Sequence, residues 1–435
     1  MSDRDATDPA ATGQLPAHFH RALNRYTSMR ELENRKSMVS TKSRVFVTGL
    51  GVISPLGPDA GSNLESLLCA RDSVTQVESF DVSRTRCKTA GQIPDQWMED
   101  AFPQRPHSDR AHRSARMVTM ALREARESAK GPSLELLIVG TTSGGMSYGE
   151  LYYRRLLAAQ SRKGFARLVG NYMPQKPVLD ALQANGLRIP TQIIANACSS
   201  GANAIGHGFE LIRSGLRGCV ACGGYDPVCE LVFVGFDSLQ AATPEKIRPF
   251  DIQRSGMVLG EGASFLVLES EGSAAARGAT AIGEVVGYGT ATDTFHLTQP
   301  NPSGIGPKLA MQRALQSAGV DPTELDYVNA HGTATIFNDA TEGSAISELL
   351  GNVQVSSTKS MMGHALGAAG AIEAAFCVLA LREQFLPPNI NFVEPDPSWK
   401  FRVVANVCRR GSLRFALSNS VGFGGTNATL ILKRI

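Results

Sequence analysis

The sequence predicts an α/β protein assembled from two related halves, and three observations carry that prediction. Apolar runs of strand length alternate with amphipathic or small-residue runs of helix length through most of the chain. Several strand-length runs are apolar on both faces, as at 134–140, which suits buried, partly parallel sheets. A short pattern also recurs: Cys198-Ser-Ser-Gly201-Ala202 and His364-Ala-Leu-Gly367-Ala368 each open a small-residue helix downstream of a related strand, 134–140 and 325–330.

Residues 1–43 begin acidic and continue without periodicity, which reads as a flexible extension and neither a secretory signal nor a transit peptide. The first strand starts at Arg44, and its apolar run breaks at Gly49 and Gly51; the glycine spacing is not that of a dinucleotide loop. An amphipathic helix is expected near 110–129, then the strand at 134–140. A strand from Thr191 leads into a helix at about 199–214, and a further strand near 218–224 ends in Gly223-Gly224. The alternation resumes to the C-terminus, with an N-terminal half at 44–282 and a C-terminal half at 283–435.

Composition narrows the function. The 435 residues are 43% hydrophobic and 19% charged, enough for a large core. A net charge of +3 without a basic block gives no reason to expect nucleic acid. No apolar run approaches the ~18 residues that span a bilayer. Eight cysteines without framework spacing, and no signal peptide before them, point to a reduced, cytoplasmic setting. Cys219 and Cys222 have CxxC spacing, but they sit in an apolar run with no partner pair and read as strand residues.

Cys198 stands where a strand turns into a helix among small residues. The helix N-terminus there favours thiolate over thiol, and backbone N–H groups at the turn suit an oxyanion, the logic of a nucleophile elbow with sulfur for oxygen. On local sequence alone a buried, inert cysteine reads equally well. His331 and His364, each beside glycine and matched to the cysteine by the repeat, favour the catalytic reading. They lack HxxxH spacing and have no obvious third ligand, so no metal site is expected.

These residues belong to a set of blocks: Ala197-Cys198-Ser-Ser-Gly201, Arg248-Pro-Phe-Asp251, Gly260-Glu-Gly-Ala263, Asn329-Ala-His331-Gly-Thr-Ala-Thr335, Ser357-Thr-Lys359-Ser-Met-Met-Gly-His364 and Gly422-Phe-Gly-Gly-Thr-Asn427. With them the chain resembles the elongating β-ketoacyl-acyl-carrier-protein synthases over residues 44–435. The resemblance implies a thiolase-like fold with duplicated halves in five αβαβα layers. It implies that Cys198 takes an acyl chain from a carrier-protein thioester, and that His331 and His364 act on the malonyl thioester. It implies that Lys359 organises the site with Glu373 as its buried partner. Phe423 would give its N–H to the oxyanion hole and gate the acyl pocket together with Val421, and Thr333 and Thr335 would bind the phosphopantetheine arm. Arg162 and Lys163 would help the acidic carrier protein dock. No cofactor or metal is implied beyond the carrier's own phosphopantetheine. A dimer is implied, either with itself or with a homologous chain-length subunit.

The chain departs from the family's common pattern at four places. Val421 stands where an aromatic is common, Ile336-Phe337-Asn338 replaces small residues with a proline, Ser255 stands where Asp is usual, and 144–153 is rich in aromatics suited to an acyl pocket. These departures fit a specialised polyketide or polyene synthase as readily as fatty-acid synthesis. Two other functions compete. A non-catalytic partner subunit would not need Cys198, His331, His364 and Lys359 together. A thiolase would need a second cysteine late in the chain, and Cys408 lies too far before the glycine-rich loop for that.

Overall fold

The computed structural model describes residues 43–102, 112–158 and 166–435. Of the expected extension at 1–43, only Ser43 falls among them, and Arg162 and Lys163 lie outside them. Eleven strands form one sheet: β1 (Val45–Ile53), β2 (Leu136–Gly140), β3 (Thr191–Ile194), β4 (Cys219–Asp226), β5 (Gly262–Ser270), β6 (Gly283–Thr292), β7 (Tyr327–Asn329), β8 (Gln354–Ser356), β9 (Arg402–Val403), β10 (Phe415–Gly422) and β11 (Thr426–Lys433). Their spatial order is β9-β8-β7-β10-β11-β6-β1-β5-β4-β2-β3. The helices that matter to the site are α1 (Arg113–Ser128), α2 (Met146–Ala158), α3 (Gln175–Ala184), α4 (Ser200–Arg213), α5 (Ile305–Ala318), α6 (Ile336–Leu349) and α7 (Ala369–Glu383).

The strand pairings repeat. β1 runs antiparallel to β5, β5 antiparallel to β4, and β4, β2 and β3 are parallel. In the same chain order, β6 runs antiparallel to β11, β11 antiparallel to β10, and β10, β7 and β8 are parallel. The two sets join where β1 meets β6, with Val45 opposite Val285 and Val47 opposite Gly283. The chain therefore traces one α/β topology twice.

Burial explains the run-on hydrophobicity of these strands. Along β4 and β5, Val220, Cys222, Leu266 and Leu268 point into a central core, while Cys219, Ala221, Phe265 and Val267 point into an outer one. The central core is filled by α4 and α7 (Ala202, Ile205, Phe209, Ala371, Ile372, Phe376), which pack on each other between the sheet halves. One outer core lies under α1 and α3, the other under α5 and α6. That stacking is five layers. α7 buries 13 of its 15 residues, so it carries no polar face, as its all-round apolar sequence requires.

The alternation also separates the CxxC pair. Cys219 and Cys222 lie on opposite faces of β4, because an odd spacing in a strand inverts the side chain, so the two thiols cannot share a ligand or a bond.

β1 runs through Gly49 and Gly51, where its apolar run is interrupted, and continues to Ile53, with a shift in its pairing to β5 between Val47 and Gly49. The glycines serve close approach. A Cβ on Gly51 would lie 2.0 Å from the Ala121 carbonyl of α1, and one on Gly49 2.2 Å from the Ala125 carbonyl. Gly287 and Gly289 of β6 meet Ala314 and Ala310 of α5 in the same way, each at 2.3 Å. Among the described residues no helix is long and apolar enough to cross a membrane.

Replacing Gly51 by alanine forces α1 off the sheet. The expected cost is about 1–3 kcal/mol, read as a lower urea midpoint at unchanged slope.

Candidate active site

The site gathers at the C-terminal ends of the parallel strands, where open α/β sheets present their crevices. Cys198 follows β3, His331 follows β7, Lys359 and His364 follow β8, and Phe423 follows β10. The duplicated topology thus brings one loop of the N-terminal half and three of the C-terminal half to a shared centre.

Cys198 sits on a strained turn. Ala197 before it has φ +56°, a left-handed conformation rare for a residue with a Cβ, and such residues store of order 1–3 kcal/mol. Three hydrogen bonds hold the turn: the Ala197 carbonyl accepts from Ser200 N at 3.1 Å, Ser200 Oγ at 2.6 Å and Thr142 Oγ1 at 3.1 Å. The thiol is left facing His364, with Sγ 3.0 Å from Nε2. The His331 and His364 rings stand edge to face with centroids 5.1 Å apart. Cys198 is 6% exposed, His331 2% and His364 1%.

Burial decides the protonation states. It pushes the Cys198 thiol up to about 12, against the Lys359 charge and the backbone N–H groups of Phe423 and Cys198, which favour thiolate. The main-chain N–H groups favour thiolate, as expected of a helix N-terminus, but loss of water outweighs them and raises the thiol. Both histidines are held well below their ordinary 6.5, first by burial and then by the Lys359 charge, so both rings are neutral.

Lys359 is fully buried and forms an ion pair with Glu373 of α7. Burial pushes the Glu373 carboxyl up to about 7, and Lys359 draws it back. Two more buried carboxylates organise the loops. Glu342 of α6 accepts from the backbone N–H groups of His331 and Gly332, each at 2.8 Å, and from Asn419 Nδ2 at 2.8 Å. Asp339 accepts from Phe250 N and Ala334 N.

A cleft opens onto the three reacting groups. Thr333 and Thr335 line it, their hydroxyls 2.9 Å apart, together with Val421 and Phe423. The Phe423 ring stacks obliquely on Phe236 at 5.4 Å, and the φ of +79° at Gly424 turns the chain sharply behind it. Ile336 and Phe337 line the outer cleft and stay 60% and 58% exposed. Ser255 also faces the cleft, hydrogen-bonded to Thr243 Oγ1 at 2.7 Å.

The aromatic segment 144–153 does not line this cleft. Most of it lies on α2, where Tyr148 stacks on His112 and Tyr153 is 60% exposed. One residue that sequence reasoning passed over is central: Asp226 closes β4, buried, with six donor groups on its carboxylate. The signal was present as an acid ending an otherwise apolar strand.

A buried thiol facing two neutral imidazoles, with main-chain N–H groups aimed at the sulfur, defines an acyl-transferring condensing enzyme. The comparisons agree. Residues 42–274 match the N-terminal domain of beta-ketoacyl synthase and residues 282–393 its C-terminal domain. The chain belongs to the β-ketoacyl synthase family, acyltransferases that form carbon–carbon bonds. It is 37% identical to 3-oxoacyl-[acyl-carrier-protein] synthase 2 of Synechocystis sp., covering 90% of this chain and 98% of that one. It is 34% identical to the enzyme of the same name from Staphylococcus aureus (strain COL), covering 91% and 99%. Among solved structures, the ishigamide ketosynthase/chain length factor superposes with a TM-score of 0.85 at 34% identity, covering 91% of this chain and all of that one.

Two measurements follow from the charges. Lys359→Met strands the Glu373 carboxylate and should cost ~3–5 kcal/mol in urea unfolding, with Lys359→Met/Glu373→Leu recovering most of it. Because the folded histidines resist protonation below their ordinary 6.5, the unfolded chain binds the extra protons there. The histidines' contribution to unfolding free energy should therefore be lost as pH drops below 6.5, opposed by the raised Glu373 and Asp339 carboxyls, and His331→Gln/His364→Gln should make the protein more stable at low pH relative to neutral pH than the wild type is.

Proposed function

We propose that the chain is a β-ketoacyl-acyl-carrier-protein synthase that elongates acyl chains by decarboxylative Claisen condensation. The observation that carries this reading is the 3.0 Å contact between Cys198 Sγ and His364 Nε2, with neutral His331 alongside.

In the first half-reaction the Cys198 sulfur attacks the carrier-bound thioester carbonyl. The N–H groups of Cys198 and Phe423 receive the oxyanion, and the carrier thiol leaves with the cysteine's proton. In the second, a malonyl carrier thioester enters and its C–C bond to the carboxylate breaks, releasing CO2. The resulting enolate oxygen accepts hydrogen bonds from His331 and His364. The enolate carbon then attacks the acyl-Cys198 carbonyl, forming the new C–C bond as the C–S bond breaks, and the released sulfur recovers a proton. Neutral imidazoles suit this chemistry because they donate without adding charge to the chamber.

Thr333 and Thr335, which line the cleft, would hold the phosphopantetheine arm, Phe423 and Val421 would gate the acyl chain, and Lys359 with Glu373 would fix the loop that carries His364. Arg162 and Lys163 are assigned to carrier docking on the resemblance alone. The reaction needs no resident metal or cofactor. Cys198 Sγ and a ring nitrogen of each histidine lie within 4.8 Å of one another, near enough to share an ion. The Lys359 charge that depresses both histidines opposes a second cation there. The setting is taken to be cytoplasmic and the assembly dimeric. The similar ishigamide protein is a ketosynthase/chain length factor, and this favours a second reading in which the chain works with a homologous subunit in a specialised polyketide or polyene pathway.

Intact mass after mixing with acyl-carrier proteins tests the reading. An acyl adduct should form, disappear on adding malonyl-carrier protein, and be absent in Cys198→Ala. His331→Ala should still be acylated but lose about 10²–10⁴ in condensation. A folded protein that takes no acyl group from any donor would sink the stand-alone reading.

A further inference from the structure

We propose that Asp226 is a positioning residue of the condensation: its carboxylate ties the turn after His364 to the loop after β2, and so fixes His364 against Cys198. The inference rests on the ketosynthase reading and extends it to a residue outside the Cys-His-His set.

Asp226 is the last residue of β4 and is fully buried. Oδ1 accepts from Thr141 Oγ1 at 2.7 Å, Thr142 N at 3.1 Å, Ser143 N at 2.8 Å, Ser143 Oγ at 2.9 Å and Gly144 N at 3.2 Å. Oδ2 accepts from Thr142 N at 2.9 Å and from Gly367 N at 2.6 Å. Among the described residues no cation pairs with it. Burial raises the Asp226 carboxyl above its ordinary range, and the hydroxyl and main-chain N–H donors of Thr141, Ser143 and Thr142 draw it back toward the anion. The anion in turn gives all of them a partner at one point.

Two of the tied segments bear on the reaction. Gly367 lies three residues after His364, and Leu366 between them has φ +51°, so this turn is strained and needs an external hold. Thr142 donates its hydroxyl to the Ala197 carbonyl, the turn that presents Cys198. One carboxylate thus sets the backbone behind both partners of the Sγ–Nε2 contact. There is no space for a substitute: a Cβ on Gly367 would lie 2.7 Å from Asp226 Oδ2 and 2.7 Å from Thr142 N.

The anion also acts on the thiol. The charged groups that bear on Cys198 are Lys359, which favours thiolate, and Asp226, which opposes it; His331 and His364 are neutral, and the N–H groups of Phe423 and Cys198 favour thiolate. Removing the Asp226 charge therefore lets Cys198 ionise at lower pH.

Asp226→Asn keeps the shape but replaces one oxygen by an NH2 group. Whichever way the amide turns, either Gly367 N or the 141–144 loop meets a donor in place of an acceptor. The full chain is tested with the acyl-carrier and malonyl-carrier assay and with iodoacetamide labelling of Cys198 followed by intact mass across pH. Expected for Asp226→Asn is a loss of about 10–100-fold in kcat with KM little changed, and a labelling midpoint at lower pH. Asp226→Glu should recover most of the rate, and Ser143→Ala, which keeps the charge, should lower kcat several-fold without moving the midpoint. A folded Asp226→Asn with wild-type kcat and an unmoved midpoint would overturn the proposal. Where Asp226→Asn does not fold, wild-type kcat in both Ser143→Ala and Thr141→Val overturns it. Failure of the wild type to accept any acyl group defeats the ketosynthase reading instead, and the labelling comparison still reports the hold of Asp226 on Cys198.

Discussion

The site depends on the exclusion of water from its centre. Cys198, His331, His364, Lys359 and Glu373 are all buried, and within that volume the ionised groups are few and paired or saturated with donors. Desolvation then acts on the reacting groups: the thiol is pushed up and both imidazoles are pushed down, while Lys359 lies in an ion pair with Glu373. In water the same residues would present titrating imidazoles and a partly ionised thiol. Here they present neutral imidazoles and a thiol held above its ordinary pKa. The chemistry is a property of the enclosure before it is a property of any one residue.

The duplicated fold supplies that enclosure. Two copies of one βαβ pattern turn their inner helices, α4 and α7, against each other, and the reactive loops follow the same pair of parallel strands in each copy. The copies also solve the same backbone problem with the same device. In the C-terminal half Glu342 collects the N–H groups of His331 and Gly332. In the N-terminal half Asp226 collects those of Thr142, Ser143 and Gly144 at the end of the corresponding strand. A loop at a strand end leaves N–H groups without ladder partners, and a buried carboxylate meets several at once. The halves differ in what those loops present: a histidine in one, a tether for the cysteine turn in the other.

Much of this was legible in the sequence. Cys198, His331 and His364 stand in short glycine-bounded blocks at strand ends, and the repeat that relates them is visible over five positions. The α/β alternation and the helices α1 and α4 are carried by period alone. What was not legible is tertiary. The thiol's ionisation turned on how completely α4, α7 and the loop at Phe423 enclose it, which no local pattern encodes. Asp226 acts through donors from positions 141–144 and from Gly367, distant in the chain, so its environment exists only once the sheet has formed. The aromatic run at 144–153 reads as a pocket wall, yet α2 turns Tyr148 onto His112 and leaves Tyr153 outside. Glycines at 49 and 51 interrupt the apolar run for a reason the run does not show, because their purpose, the close seat of α1, belongs to the other element.

Three of the four places where the chain departs from the family's common pattern fall on the wall and lip of the cleft, at Val421, at Ser255 and at Ile336 with Phe337, while 144–153 lies away from it. Energetics explain why that division is open to a protein of this build. Exposed side chains such as Ile336 and Phe337 can change for about 0.5 kcal/mol or less, whereas unpairing Lys359 from Glu373 costs several. On the proposed reading a lip residue would meet the incoming thioester before the reacting atoms do, so changing it would bear on which thioesters reach Cys198 and not on the chemistry there. Two neutral rings, one thiol and one enclosed ion pair can therefore serve substrates of different shape, with selection written in residues whose replacement leaves the enclosure dry.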